Sequence, residues 1–236
     1  MSTAFVSLIF AALVWVGVHI GVAGTAVRGA IVRAIGEGPF RGLFVLTSFA
    51  LIFWMARAYH FAGAVQVLWA SPHWLNVLLM LLMFPALLLF VGSVTVRNPT
   101  SVAGASALAA ENPARGILRV TRHPMLWAFA LWAAIHTIIL GTLGALVFFG
   151  AFLITALAGM PSLDAKIAKR DPQHWAAYAQ ATSILPFAAI AQQRNRFVFA
   201  EIGWWRIALA LALWFVLVGA HQWLFRIPTW AVFLGR

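Results

Sequence analysis

Residues 121–141 read TRHPMLWAFALWAAIHTIILG. A basic triplet, Arg122-His123-Pro124, stands at the mouth of an apolar run, and a second histidine, His136, lies well inside it. The run from Pro124 to Leu140 is long enough to reach most of the way across a hydrocarbon layer of about 30 Å. A polar side chain at that depth is costly unless it is hydrogen-bonded or ligated, so His136 marks a place where the chain does something besides span.

The rest of the chain has the same apolar character. Of its 236 residues 64% are hydrophobic and 9% charged, and the mean hydropathy is +0.94, which defines an integral membrane protein. Runs of spanning length recur at Ala4–Ala26, Gly42–Ala56, Trp74–Val94, Pro124–Leu140, Thr142–Met160 and Trp204–Phe225. These predict an all-α bundle of about six transmembrane helices in one domain, residues 1–236, with an interfacial amphipathic segment over about 161–200. The first run is too long for a cleavable signal, lacks a basic start, and carries Arg28 and Arg33 after it, so it is expected to stay in the mature chain.

Charge orients the helices. With six spans, the loops 27–41, 95–123 and 161–206 share one side and hold thirteen Lys and Arg residues, against Arg57, Arg226 and Arg236 on the other. The basic-rich side is cytoplasmic by the positive-inside rule, so both termini are expected to face away from the cytoplasm, into the periplasm if the membrane is a bacterial inner membrane. The net charge of +11 then reflects topology and contact with anionic lipid rather than nucleic-acid binding, which calls for a soluble basic face.

Absences exclude much of the remaining chemistry. With no cysteine the chain makes no disulfide, thiolate zinc site, iron–sulfur cluster or thioether-linked haem. No Asp or Glu falls inside a predicted span, which removes the carboxylates that proton-coupled carriers and two-metal hydrolases use. There is no phosphate-binding glycine loop and no internal repeat.

Histidine remains. His19, His136 and His221 sit within predicted spans; His60, His73, His123 and His174 do not. Each intramembrane imidazole either bonds a neighbouring helix or belongs to a set that holds a metal. Zinc and copper sites draw three or four protein ligands, which this composition does not supply, whereas a haem iron needs only one or two axial ligands beyond its porphyrin nitrogens. Two histidines on helices rich in Trp, Phe and Leu suit non-covalent haem b. Trp15 precedes His19, and Trp132 precedes His136, by one helical turn, which puts an indole on each imidazole's face. Arg28, Arg33 and Arg41 after the first span, and Arg119 and Arg122 before the fourth, are candidates to meet haem propionates or simply to obey the positive-inside rule. His123 is placed at the membrane interface, its ring at the helix start.

The stretches WVGVHIG, GEGPFRGLFVLTSFALI, RAYHFAG, TRHPMLWAFALWAAIHT and WAAYAQATSILPFAAI, spread over nearly the whole chain, resemble the NnrU family, to which the ζ-carotene isomerases of plants and cyanobacteria are related. The resemblance implies a b-type haem held between helices by His19 and His136, with His60 a further candidate, and redox-linked cis–trans isomerisation of a carotenoid-like polyene. It equally implies, for bacterial members, a role in nitrite and nitric oxide metabolism, with nitric oxide as the ligand. Cysteine-assisted ligand exchange of the kind proposed for the isomerases has no counterpart here.

Two other classes stay open. The triplet at 122–124 followed by Trp175, Tyr178 and Pro186 is similar to integral membrane S-adenosylmethionine-dependent methyltransferases, although the paired acid of those enzymes is missing and only Asp164 and Asp171 stand near. A non-enzymatic haem electron-transfer subunit fits the same histidines. Between spans, loop 95–123 reads as a mobile linker or lid, and Pro172 should divide residues 162–181 into two short amphipathic pieces.

Overall fold

The structure, a computed structural model, describes residues 2–100, 104–226 and 229–233. Arg236 and residues 101–103 of the loop considered above lie outside these. Among the described residues every regular element is helical, and pairing of the strand type is confined to one bridge between Val67 and Thr142. Five helices are long and apolar enough to cross a bilayer: Thr3–Val22, Glu37–Ala62, His73–Thr95, Leu143–Arg170 and Trp204–Phe225. The sixth expected span, Pro124–Leu140, is an apolar helix of 17 residues, at the short end of what crosses.

The chain forms two compact units. The first comprises residues 2–71 and 133–159. In it α1, Thr3–Val16, starts where Ser2 accepts the Phe5 amide, and it passes without a break into a wider π turn, Gly17–Val22. Thr25 caps α2, Ala26–Ile35, which ends at Gly36 with φ 87°; α3, Glu37–Ala62, follows at once. α1 and α3 pack along their length, and the Trp54 indole donates to Ser7 Oγ at 3.0 Å. The second span therefore starts earlier and ends later than its apolar run, and His60 lies in its last turn rather than beyond it.

Residues from two further helices complete this unit: α6, Pro124–Leu140, from residue 133 onward, and α7, Leu143–Arg170, up to residue 159. Gly141 and Thr142 alone join them. Gly141 holds φ 57°, and its carbonyl accepts from the amides of Leu68 and Trp69. A Cβ there would stand 2.1 Å from the Trp69 carbonyl oxygen, so the turn requires glycine.

The second unit comprises the described residues of 72–132 and 160–233. Its long helices are α4, His73–Thr95, and α11, Trp204–Phe225, which lie against one another; Trp214 donates to the Met80 carbonyl at 2.9 Å, and Arg206 Nε to Thr95 Oγ1 at 2.7 Å. Short helices α5, Ile117–Val120, α8, Pro172–Ala181, α9, Ala188–Ala191, and α10, Phe199–Ile202, fill in around them, with α12, Thr229–Phe233, at the end. Loop 95–123 sends several of its residues into this core, while Arg97, residues 109–112 and Arg115 stay exposed. Ile117, Leu118 and Val120 are buried with Leu89, Ala128 and Ile202, and Leu108 and Ala114 are buried with Ile167, Trp175 and Tyr178. A linker reading fails here because small and polar residues can turn back into a core as readily as they can extend.

α7 corrects the expected division of residues 162–181. It runs through Pro161 to Arg170, so the first amphipathic piece is the continuation of the span. Pro172 does end it, as the composition predicted. Asp171 leaves helical geometry and caps α8 by accepting the His174 amide, with Pro172 in the first turn, where its missing N–H costs nothing.

Candidate functional site

His19 lies in the π turn, a local widening that recurs at functional positions. Its Nδ1 stands 2.9 Å from the Trp15 carbonyl oxygen, one turn back. A carbonyl only accepts, so Nδ1 carries the proton and Nε2 presents its lone pair. Ser48 Oγ is 3.2 Å from Nε2, but the same hydroxyl donates to the Phe44 carbonyl at 2.7 Å, and one proton divided between two acceptors leaves Nε2 weakly engaged. The expected indole is present: Trp15 stacks on the imidazole at 3.8 Å, and Phe44 meets it edge-on at 5.0 Å.

His136 is in the same unit, half-buried and stacked on Phe149 with centroids 4.9 Å apart. From it a run of ring contacts leads to His19, from Phe149 to Phe148 at 4.9 Å, Phe148 to Phe152 at 5.3 Å and Phe152 to Trp15 at 4.8 Å. Tyr59 stacks on Phe148 at 5.0 Å. Phe148, Phe149 and Trp15 are buried. The two histidines thus terminate a packed aromatic row. His19 has its tautomer set by a backbone carbonyl, the arrangement that orients a ligating imidazole. His60 is exposed and edges against Phe61 at 5.2 Å, away from this row.

Arg122 and His123 belong to the second unit and meet one carboxylate there. Asp164 Oδ2 accepts from Arg122 Nε at 2.8 Å, and Oδ1 accepts from His123 Nε2 at 2.7 Å. Arg122 Nη1 reaches the Thr182 carbonyl at 3.1 Å, and its guanidinium lies over Trp175 at 5.5 Å. The His123 side chain, at the start of α6, is fully buried within the protein. His123 Nδ1 and Tyr178 OH, both buried, have no hydrogen-bond partner among the described residues. Burial also drives the Tyr178 phenol above its ordinary range.

The other arginines proposed for propionates are mostly paired within the protein. Arg28 and Arg41 share Glu37 Oε1 at 2.6 and 2.7 Å, while Arg33 is exposed. Arg119 grips Glu201 with two bonds, Nε to Oε2 at 2.7 Å and Nη2 to Oε1 at 2.8 Å, and the Gly116 amide adds a third. Chiefly through the Arg119 hydrogen bonds, Glu201 falls to a pKa of about 2. Sequence reasoning passed over Ser48 and the Phe148–Phe152 rings, and it named Asp164 only as an unpaired acid near the methyltransferase-like segment, not as the partner of Arg122 and His123. Among the described residues no three His, Asp or Glu side chains group closely enough to enclose a bare metal ion.

An all-helical chain with five apolar helices of spanning length, carrying imidazoles and aromatic rings along them, is an integral membrane protein. The family model described as NnrU protein matches residues 7–229, and the chain belongs to that family. It is also similar to two proteins named 15-cis-zeta-carotene isomerase, chloroplastic. Identity is 32% over 80 residues with the protein of Arabidopsis thaliana and 30% over 81 residues with that of Zea mays. Each match covers 34% of this chain and 22% of the relative, so it spans about a fifth of those proteins' length. No solved structure matches the chain.

Proposed function

We propose that this protein is a membrane-embedded isomerase that interconverts cis and trans double bonds of a carotenoid-like polyene, with haem b held at His19. The observation that carries the reading is the similarity to two enzymes named for a 15-cis carotenoid, taken with an apolar row of rings ending in a histidine whose Nε2 is presented. A long conjugated hydrocarbon partitions into the bilayer, and the half-buried rings of Phe44 and Phe152, beside His19 and Trp15, offer it dispersion and stacking contacts.

When bound, haem supplies a redox-active iron able to weaken the double-bond character of a conjugated bond. What the chain's own residues do is narrower. The Trp15 carbonyl keeps the Nδ1 proton of His19 in place, the Trp15 indole stacks on the ring, and the buried rings exclude water. His136, stacked on Phe149, is the second candidate ligand of this unit.

The test has two readouts on protein produced with ample haem. Purified protein should give a pyridine-haemochrome spectrum of haem b, and membranes containing it should convert a 15-cis polyene to its trans isomer by chromatography. Colourless protein that retains S-adenosylmethionine instead would replace this reading by the methyltransferase one. Haem without conversion would leave a haem protein of the electron-transfer or nitric-oxide-binding kind.

A further inference from the structure

Two guanidinium groups of the second unit converge on the same backbone oxygens. At the carboxyl-terminal end of α8, the carbonyls of Ala179 and Thr182 each accept from Arg122 Nη1, at 3.5 and 3.1 Å, and from Arg194 Nη1, at 3.4 and 2.9 Å. Arg194 reaches the Gln180 carbonyl as well, and its Nε donates to Gln192 Oε1. Carbonyl dipoles at a helix end attract cations, which accounts for the convergence. They do not neutralise it. Asp164 balances Arg122 and gives its other oxygen to His123, whereas Arg194 forms no ion pair among the described residues and no acid occurs between residues 183 and 198.

These two arginines line a shallow, widely open cavity of about 370 Å³. Thr182, Ser183 and Gln192 add polar groups to its lining, and Ile184, Leu185 and Ala188 add apolar ones. The surface beside these apolar groups is oily. Leu185 is 62% exposed and Phe187 53%, and the Phe187 ring lies 6.2 Å from that of Phe197, itself 48% exposed. Phe187 is held at φ 64°, a left-handed conformation that costs a bulky residue energy, with its amide on the Val120 carbonyl at 2.8 Å. The fold thus strains its backbone to present a large apolar ring beside an arginine with surplus charge. Exposed aromatics next to arginine are the composition of a membrane–water interface.

We infer that this cavity binds the phosphate of an anionic phospholipid, with Arg194 as its principal partner and the acyl chains along Leu185, Phe187 and Phe197. With Nε on Gln192 and Nη1 on the carbonyls, Arg194 has Nη2 left to donate to a phosphate oxygen, and an anion there relieves the repulsion between two cations sharing two acceptors. The inference does not depend on the isomerase reading.

The test measures lipid retention of the full chain by native mass spectrometry, offering phosphatidylglycerol and phosphatidylcholine of identical acyl chains. The wild type should keep phosphatidylglycerol in several-fold preference. R194Q should lose the preference; A188W, which fills the cavity without touching a charge, should lose it too and stands in for R194Q if that variant fails to fold. R33Q, which removes an exposed charge elsewhere, should keep it. Retention of the preference by both R194Q and A188W overturns the inference, as does an equal loss in R33Q, which would mean general surface charge. Displacement of phosphatidylglycerol by millimolar inorganic phosphate would assign the cavity to a soluble anion and overturn the lipid assignment.

Discussion

The imidazole of His123 and the carboxylate of Asp164, 41 residues apart in the chain, meet at 2.7 Å inside the second unit. Since the carboxylate accepts, His123 donates from Nε2, and its buried Nδ1 is left as an acceptor. Arg122, the adjacent residue, holds the other oxygen of the same carboxylate. The Arg-His pair that opens the fourth apolar run is therefore anchored to α7.

Removing that anchor should be costly. D164A strips the partner from a guanidinium and an imidazole that are both largely withdrawn from solvent, and leaving such groups unsatisfied costs roughly 2–3 kcal/mol. Thermal unfolding in detergent should show D164A well below the wild type and H123A less affected. An unchanged midpoint for D164A would mean that the carboxylate's bonds contribute little.

Acid should weaken the second unit through Glu201. Its folded pKa, about 2, lies below the ordinary value of 4.5, so its stabilisation is fully present above about pH 4.5 and is lost as pH falls toward 2. E201Q removes that dependence and, by breaking a charge-assisted pair, should cost about 2 kcal/mol near neutral pH. Unfolding midpoints measured from pH 6 to pH 2.5 should fall more steeply for the wild type than for E201Q; parallel curves would contradict the assignment.

Haem loading separates a ligand from a packing histidine. H19A should lose the haem spectrum while the protein still inserts, because alanine in a span removes a polar burden. S48A should keep haem, since Ser48 meets only the Nε2 that iron would take, while Nδ1 stays on the Trp15 carbonyl. H136A tests the second ligand. Should H19A and H136A both keep the wild-type spectrum while H123A or H60A loses it, the iron belongs elsewhere.

Orientation follows from the thirteen basic residues of loops 27–41, 95–123 and 161–206. A reporter active only outside the cytoplasm should work when fused to the carboxyl terminus and stay silent when fused near residue 110. The opposite pattern would invert the topology.

The sequence by itself determined that the chain is helical, lives in a membrane, and places His19 and His136 along apolar helices. Burial in lipid sums along a contiguous stretch, so a run such as Leu143–Met160 declares its setting without reference to any other part of the chain. The stacking of Trp15 on His19 was legible for the same reason, because one helical turn fixes it. Only the tertiary structure decided which partners the polar groups take. Arg122, a candidate for a propionate, holds Asp164; His123 is buried on the same carboxylate; and the stretch read as linker or lid sends Leu108, Ala114, Ile117, Leu118 and Val120 into the core. A hydrogen bond or ion pair acts over about 3 Å and depends on direction, so a contact across 41 residues leaves no periodicity to read. The row of rings from His136 to His19 is of that kind too, since it exists only where α1 and α7 bring Trp15 against Phe152.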